Sequence, residues 1–439
     1  MWFKPQPLHA SIVAAILVGS AAFSTYPAWG ASQGILVSDS HPVATEQLAH
    51  ADELNRDALR LHHAGKFADA RPLAKEALTL REAALGPTDP LIAESLNTLG
   101  VILQESDYKA ARPLLERALK IRQGAFPPVH SAIAESLTNL SRTLYAGGQF
   151  AEARPLLEHA VHIRETALSP TAPEVAVSLI HLSIVVSQLG DLQHSRSLME
   201  RALSILDPLE HDHPLDLAMG LNYYGNILRR QGEFAEARVP LERSLSIRER
   251  ILGAAHPHVA RTLSRMGMLE AVTGNYRGAL PLFQRALQIN EASLGANHAE
   301  IAGDLNEIGT MHRALGNMRE AQQSFERALH IQKSTVGPQH PFVAVTLNAL
   351  GQLAAQANKP EEAKSLFEEA LAIQEHALGH GHVFSTETLT SLGYLEVQRG
   401  DLRKATDHFE RATRIREALL GPTHPDVAAS LFDLARGLH

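Results

Sequence analysis

The tetrapeptide Ala70-Arg71-Pro72-Leu73 returns as Ala111-Arg112-Pro113-Leu114 and Ala153-Arg154-Pro155-Leu156, and in looser spellings at Ser195, Ala237, Ala279, Ala321, Ala363 and Ala405. The interval is 41 residues once and 42 seven times. A period of this size restricts the chain to an array of stacked supersecondary units, because one unit cannot enclose a core alone and must bury its apolar face on its neighbours. A second series, Gly253, Gly295, Gly337, Gly379 and Gly421, keeps the interval of 42. Glycine at such points ends a helix, since it accepts positive φ without strain. His-Pro follows at His256-Pro257, His340-Pro341 and His424-Pro425, and proline suits the first turn of the next helix.

Between these markers the apolar residues recur with helical spacing. Leu263, Met266, Leu269 and Val272 stripe one segment. After Gly274-Asn275-Tyr276, a second stripe runs through Ala279, Leu282, Phe283, Ala286 and Leu287. Two antiparallel helices per unit follow, each with one buried face. A length of 439 residues would otherwise suggest about three ordinary domains, but an array grows by adding units to one core. The formal net charge of −8 lacks the basic footprint of a nucleic-acid binder. The absence of Cys removes disulfides, thiolate metal sites and a cysteine nucleophile together.

The N-terminus departs from the repeat. Lys4 precedes an apolar run from Ile12 to Val18 that continues to Phe23, and Pro27-Ala28-Trp29-Gly30-Ala31 sets small residues where a signal peptidase needs them. Residues 1–30 are expected to be a signal peptide cleaved after Gly30, with 31–44 a flexible segment and 45–439 the array. The competing reading is an uncleaved anchor, although the run is shorter than the roughly 20 residues that span a bilayer. The expected location is the periplasm or the exterior of a bacterial cell, with no membrane span after cleavage.

The repeat resembles the tetratricopeptide repeat (TPR). A small residue in each first helix stands at Ala58, Gly100, Ser141, Ser183, Gly225, Gly267, Gly309, Gly351, Gly393 and Ala435. The inner turn of glycine and aromatic stands at Gly148-Gln149-Phe150, Gly232-Glu233-Phe234 and Gly274-Asn275-Tyr276, and the small pair of the second helix at Ala279 and Ala286. The 42-residue period and the spelling from Glu410 to Ala428 are similar to the repeats of kinesin light chains and their bacterial relatives. The resemblance implies an all-α, right-handed superhelical solenoid of about nine helix hairpins and a last helix from Pro425. The linkers Ser169–Pro173 and Asp207–Pro214 depart from the Gly-Pro form.

No G-x-S-x-G, H-E-x-x-H, Walker or dinucleotide motif is present, so catalysis and a cofactor are not expected. The linker His256, His298, His340, His382 and His424 sit one per repeat, too far apart to share an ion whose bonds are about 2 Å; linker hydrogen bonding is their expected role. His376, His380 and His382 form a local cluster that leaves a metal-dependent hydrolase as a distant alternative.

The resemblance further implies that the first helices line a concave groove. Three residues before the small position stand Asn55, Asn97, Asn222, Asn306 and Asn348. An amide both donates and accepts, which suits either the backbone of an extended peptide or a bond to the neighbouring repeat. Asn226, Arg229, Arg230, Arg261 and Arg313 add a basic stretch, facing solvent, that would attract an acidic peptide or a free C-terminus. The expected function is an exported scaffold holding a protein segment in that groove. A structural part in a secretion or envelope-biogenesis assembly, using the convex face or the ends, is the alternative.

Overall fold

The computed structural model describes residues 42–64, 66–104, 107–382, 384–420 and 425–437. The proposed signal peptide and its cleavage point lie outside these residues, as do Gly421 and His424.

Nineteen α-helices occur among the described residues, with no strand. They are α1 (Pro42–His63), α2 (Phe67–Ala84), α3 (Pro90–Gln104), α4 (Tyr108–Ala125), α5 (Ser131–Ala146), α6 (Phe150–Ala167), α7 (Pro173–Gln188), α8 (Leu192–Leu206), α9 (Pro214–Gln231) and α10 (Phe234–Leu252). Then come α11 (Pro257–Val272), α12 (Tyr276–Leu294), α13 (Ala299–Ala314), α14 (Met318–Thr335), α15 (Pro341–Gln356), α16 (Pro360–Leu378), α17 (Ser385–Arg399), α18 (Leu402–Leu420) and α19 (Pro425–Gly437). Odd-numbered helices are the first helices of the repeats and even-numbered ones the second; from α1 to α10, and again from α12 to α19, each helix packs on the next. The first helix begins at Pro42, three residues before the boundary read from the sequence. The chain divides within α11 into two compact units, whose described parts are 42–265 and 266–437.

Six of the hairpins close on a glycine facing a large side chain. In residues 266–437, Gly267, Gly309, Gly351 and Gly393 lie under Phe283, Phe325, Phe367 and Phe409. A Cβ on Gly351 would stand 2.5 Å from the Phe367 ring, well inside van der Waals contact. In residues 42–265, Gly100 and Gly225 meet Leu115 and Leu241 in the same way. Linker glycines behave as the spacing predicts. Gly253 has φ 84° and ψ 155°, backbone that is essentially reserved for glycine.

The linker histidines cap the following helices. His130, His256, His298, His340 and His382 each accept, at Nδ1, the backbone N–H two residues on, at 3.1–3.3 Å. Only a neutral ring can accept there. Burial holds His256, His298 and His382 below the ordinary imidazole range. The irregular linker at 207–213 is tied down: Asp207–Leu209 forms a 3-10 turn, and Arg243 bonds Asp207 at 2.6 Å and Glu210 at 2.7 Å.

Candidate functional site: the inner column of the first helices

Polar pairs recur at the joints between repeats, where the sequence pattern shows a helix end. Near the C-terminus of a second helix a long polar residue reaches, 14 positions on, a short polar residue of the next first helix. Arg122 donates to the Ser136 hydroxyl at 3.0 Å and to the Ala132 carbonyl at 2.9 Å. Arg81 does the same to Ser95 and Leu91, and Arg248 to Thr262 and His258. Arg164 with Ser178 and Arg416 with Ser430 repeat the pair. Asn290 with Asp304 and Gln332 with Thr346 are uncharged-donor versions, both at 2.7 Å. The equivalent pair Leu206 and Gly220 carries no polar side chain. Arg81 is 1% exposed, a burial that helical periodicity alone does not reveal. The 14-residue spacing was the available signal.

Carboxylates one residue before the hydroxyls complete two of these joints. Glu94 lies 3.5 Å from Arg81, and Glu135 lies 3.1 Å from Arg122.

The asparagines expected to line the groove divide into two sets. Asn55 donates to Ser95 at 3.1 Å, Asn97 donates to Glu135 at 2.8 Å, and Asn306 donates to Thr346 at 2.8 Å. These three bond neighbouring repeats. Asn222 is fully buried with neither amide atom bonded, and the Oδ1 of buried Asn348 has no partner.

The arginines are not placed as expected. Arg229 is 6% exposed rather than solvent-facing, because its guanidinium turns back one helical turn onto Asn226 Oδ1 at 2.9 Å. Arg230 is half-buried and donates to the Ser187 carbonyl at 2.9 Å and to its hydroxyl. Arg265, not singled out from sequence, donates to the Asn222 carbonyl at 3.1 Å and lies 4.0 Å over the Tyr223 ring. Arg261 is half-buried. These first helices thus use much of their cationic capacity on one another. His62, 1% exposed, shows how dry the packing is: burial beside His63 and Arg142 lowers its pKa to about 3.

In residues 266–437 the first helices are more accessible. Arg313, Gln352, Gln356, Ser391 and Tyr394 are all partly exposed along α13, α15 and α17. Arg313 makes no hydrogen bond or ion pair among the described residues, and its Nε is buried without a partner. Gln352 donates to Glu387 and Ser391, each at 3.3 Å.

His376, His380 and His382 do not assemble a metal centre. His380 pairs with Glu375 at 3.0 Å, and Glu375 also holds Arg411. Among the described residues no three His, Asp or Glu are placed to hold one ion. Arg201–Glu165, Arg327–Glu291 and Arg411–Glu375 are ion pairs between successive second helices.

Stacked helix hairpins with recurring polar joints and a small-against-large contact in six of them define a helical-repeat interaction scaffold. The tetratricopeptide-repeat profile matches residues 58–124, 132–207, 216–292, 259–334, 301–376 and 384–439, and the chain belongs to that family. Among solved structures, the apo form of the quorum sensor NprR from B. thuringiensis is similar at 12% identity and TM-score 0.59, over 85% of this chain and 99% of that one. A Rap protein complexed with competence and sporulation factor is similar at 15% identity and TM-score 0.56, over 89% and 97%. The TPR-like repeats of a putative kinesin light chain from Podosopora anserina match at 25% identity and TM-score 0.40, over 47% and 97%. No curated protein matches the chain.

Proposed function

We propose that this protein is an exported scaffold that holds an extended segment of a partner protein along the inner face of its first helices. The observation that carries the reading is the unspent hydrogen-bonding capacity on that face. Arg313 is partly exposed on α13 with its Nε unpartnered, and an unsatisfied buried polar group costs about 1–3 kcal/mol that a ligand would return. The second helices offer less, since charges on them are paired from repeat to repeat. A Rap protein of similar fold, complexed with competence and sporulation factor, is an instance of such a solenoid holding a partner. Export rests on the apolar run from Ile12 and the small residues Ala28 and Gly30.

The test uses the whole chain as bait in a pull-down, followed by crosslinking of the captured partner. Crosslinks on α13, α15 and α17 are expected. Crosslinks confined to second helices would instead favour an assembly component that uses its convex face. N-terminal sequencing of exported protein should begin at Ala31; an intact Met1 on membrane-bound protein would overturn cleavage.

A further inference from the structure

Two charges on the first helices of residues 266–437 have lost the partners that their equivalents elsewhere in the array possess. The first is Arg313, on α13. Its equivalent two repeats earlier, Arg229, is held by Asn226 one turn back. At the position of Asn226 this repeat has Thr310, whose hydroxyl is donated to the Asn306 carbonyl. Thr310 is too short to reach the guanidinium and is already engaged. The second is Glu387, on α17. Its equivalents Glu94 and Glu135 are paired with Arg81 and Arg122. At the matching position before α17 stands Gln374, so among the described residues the carboxylate keeps only the Gln352 amide at 3.3 Å.

Arg313 and Glu387 do not pair with each other, because the repeat of α15 lies between them. Each nevertheless stands in the other's field. Arg416, the other cation near Glu387, is engaged with Ser430. Leaving two partly buried charges unpaired is costly unless something else pairs them.

We propose that Arg313 and Glu387 are the two poles of one ligand subsite, which takes a peptide segment carrying both an acidic and a basic side chain. The acid seats on Arg313, the base on Glu387, and Gln352 lies between them to meet the ligand's backbone. The inference rests on the groove reading and adds to it a ligand of mixed charge with a fixed direction along the array.

The first test needs no ligand. Glu387→Gln should leave the melting temperature unchanged or raise it, whereas Glu135→Gln should lower it. An equal loss in both would make Glu387 a structural ion-pair member and overturn the proposal. The second selects random 12-residue peptides by display on the whole chain. Wild-type protein should enrich peptides with one acid and one base in a fixed order. Arg313→Gln should lose the acid preference at least tenfold and Glu387→Gln the base preference, each with helicity intact. The exchange Arg313→Glu with Glu387→Arg should reverse the order of charges in the selected peptides. Peptides enriched without charge preference, or with the same preference in both single variants, would overturn the subsite and leave the groove reading standing. No enrichment by wild type would remove both.

Discussion

Arg122→Leu isolates the joint between the repeats of α4 and α5. Arg122 is 5% exposed, and its guanidinium makes three contacts: the Ala132 carbonyl at 2.9 Å, the Ser136 hydroxyl at 3.0 Å and the Glu135 carboxylate at 3.1 Å. Leucine keeps the apolar stem and removes all three. The Ser136 hydroxyl, fully buried, is left without its donor, which costs about 1–3 kcal/mol. Glu135 is half-exposed and can turn to water, so its loss lies nearer the surface-pair figure of about 0–1 kcal/mol. The sum is about 1–4 kcal/mol. Adding Ser136→Ala removes the stranded hydroxyl, and the double variant should recover about 1 kcal/mol relative to Arg122→Leu. This imitates the joint at Leu206 and Gly220, where the array already has no polar pair. Because an array passes stability between neighbours, the assay is urea unfolding followed by circular dichroism together with hydrogen exchange of the α5 amides. The expected signature is faster exchange in α5 and its flanking helices, and an earlier or split transition. A loss below about 0.5 kcal/mol, or no recovery in the double variant, would refute the idea that the buried arginine holds the joint.

Gly351→Ala puts a Cβ at 2.5 Å from the Phe367 ring and should destabilise by about 1–3 kcal/mol, as overpacking does; a melting temperature equal to wild type would contradict the small-against-large contact. His62 has a folded pKa of about 3 against an unfolded 6.5, so its contribution is complete above about pH 6.5 and is lost as pH falls toward 3; His62→Phe should flatten stability across that window. Asp304, pushed up to about 7 by burial, has the opposite sign: its folded form keeps a proton that the unfolded form loses, so stability falls as pH rises from about 4 to 7. Asp304→Asn should remove that slope in urea titrations at pH 4.5 and 7. Limited proteolysis should cut at 169–172 before 207–213, because only the second linker is clamped by Arg243; a first cut at 207–213 would show that the clamp is without effect.

The architecture was legible because it is a matter of local rules applied periodically. Linker glycines, the His-Pro starts and the small residue of each first helix are imposed by backbone conformation and close packing, and these recur every 42 residues in the sequence itself. The asparagine column was legible as a position but not as a role. Whether Asn97 meets a ligand or Glu135 depends on a residue 38 positions away, which a helical pattern does not bring into view. The arginines show the same limit. Arg229 and Arg313 occupy equivalent places, yet Asn226 holds one and Thr310 cannot hold the other. Sequence by itself determined that these charges lie on first helices of a stacked array. Only tertiary structure decided which are consumed, because pairing is settled by reach and burial between repeats rather than by residue type along a helix.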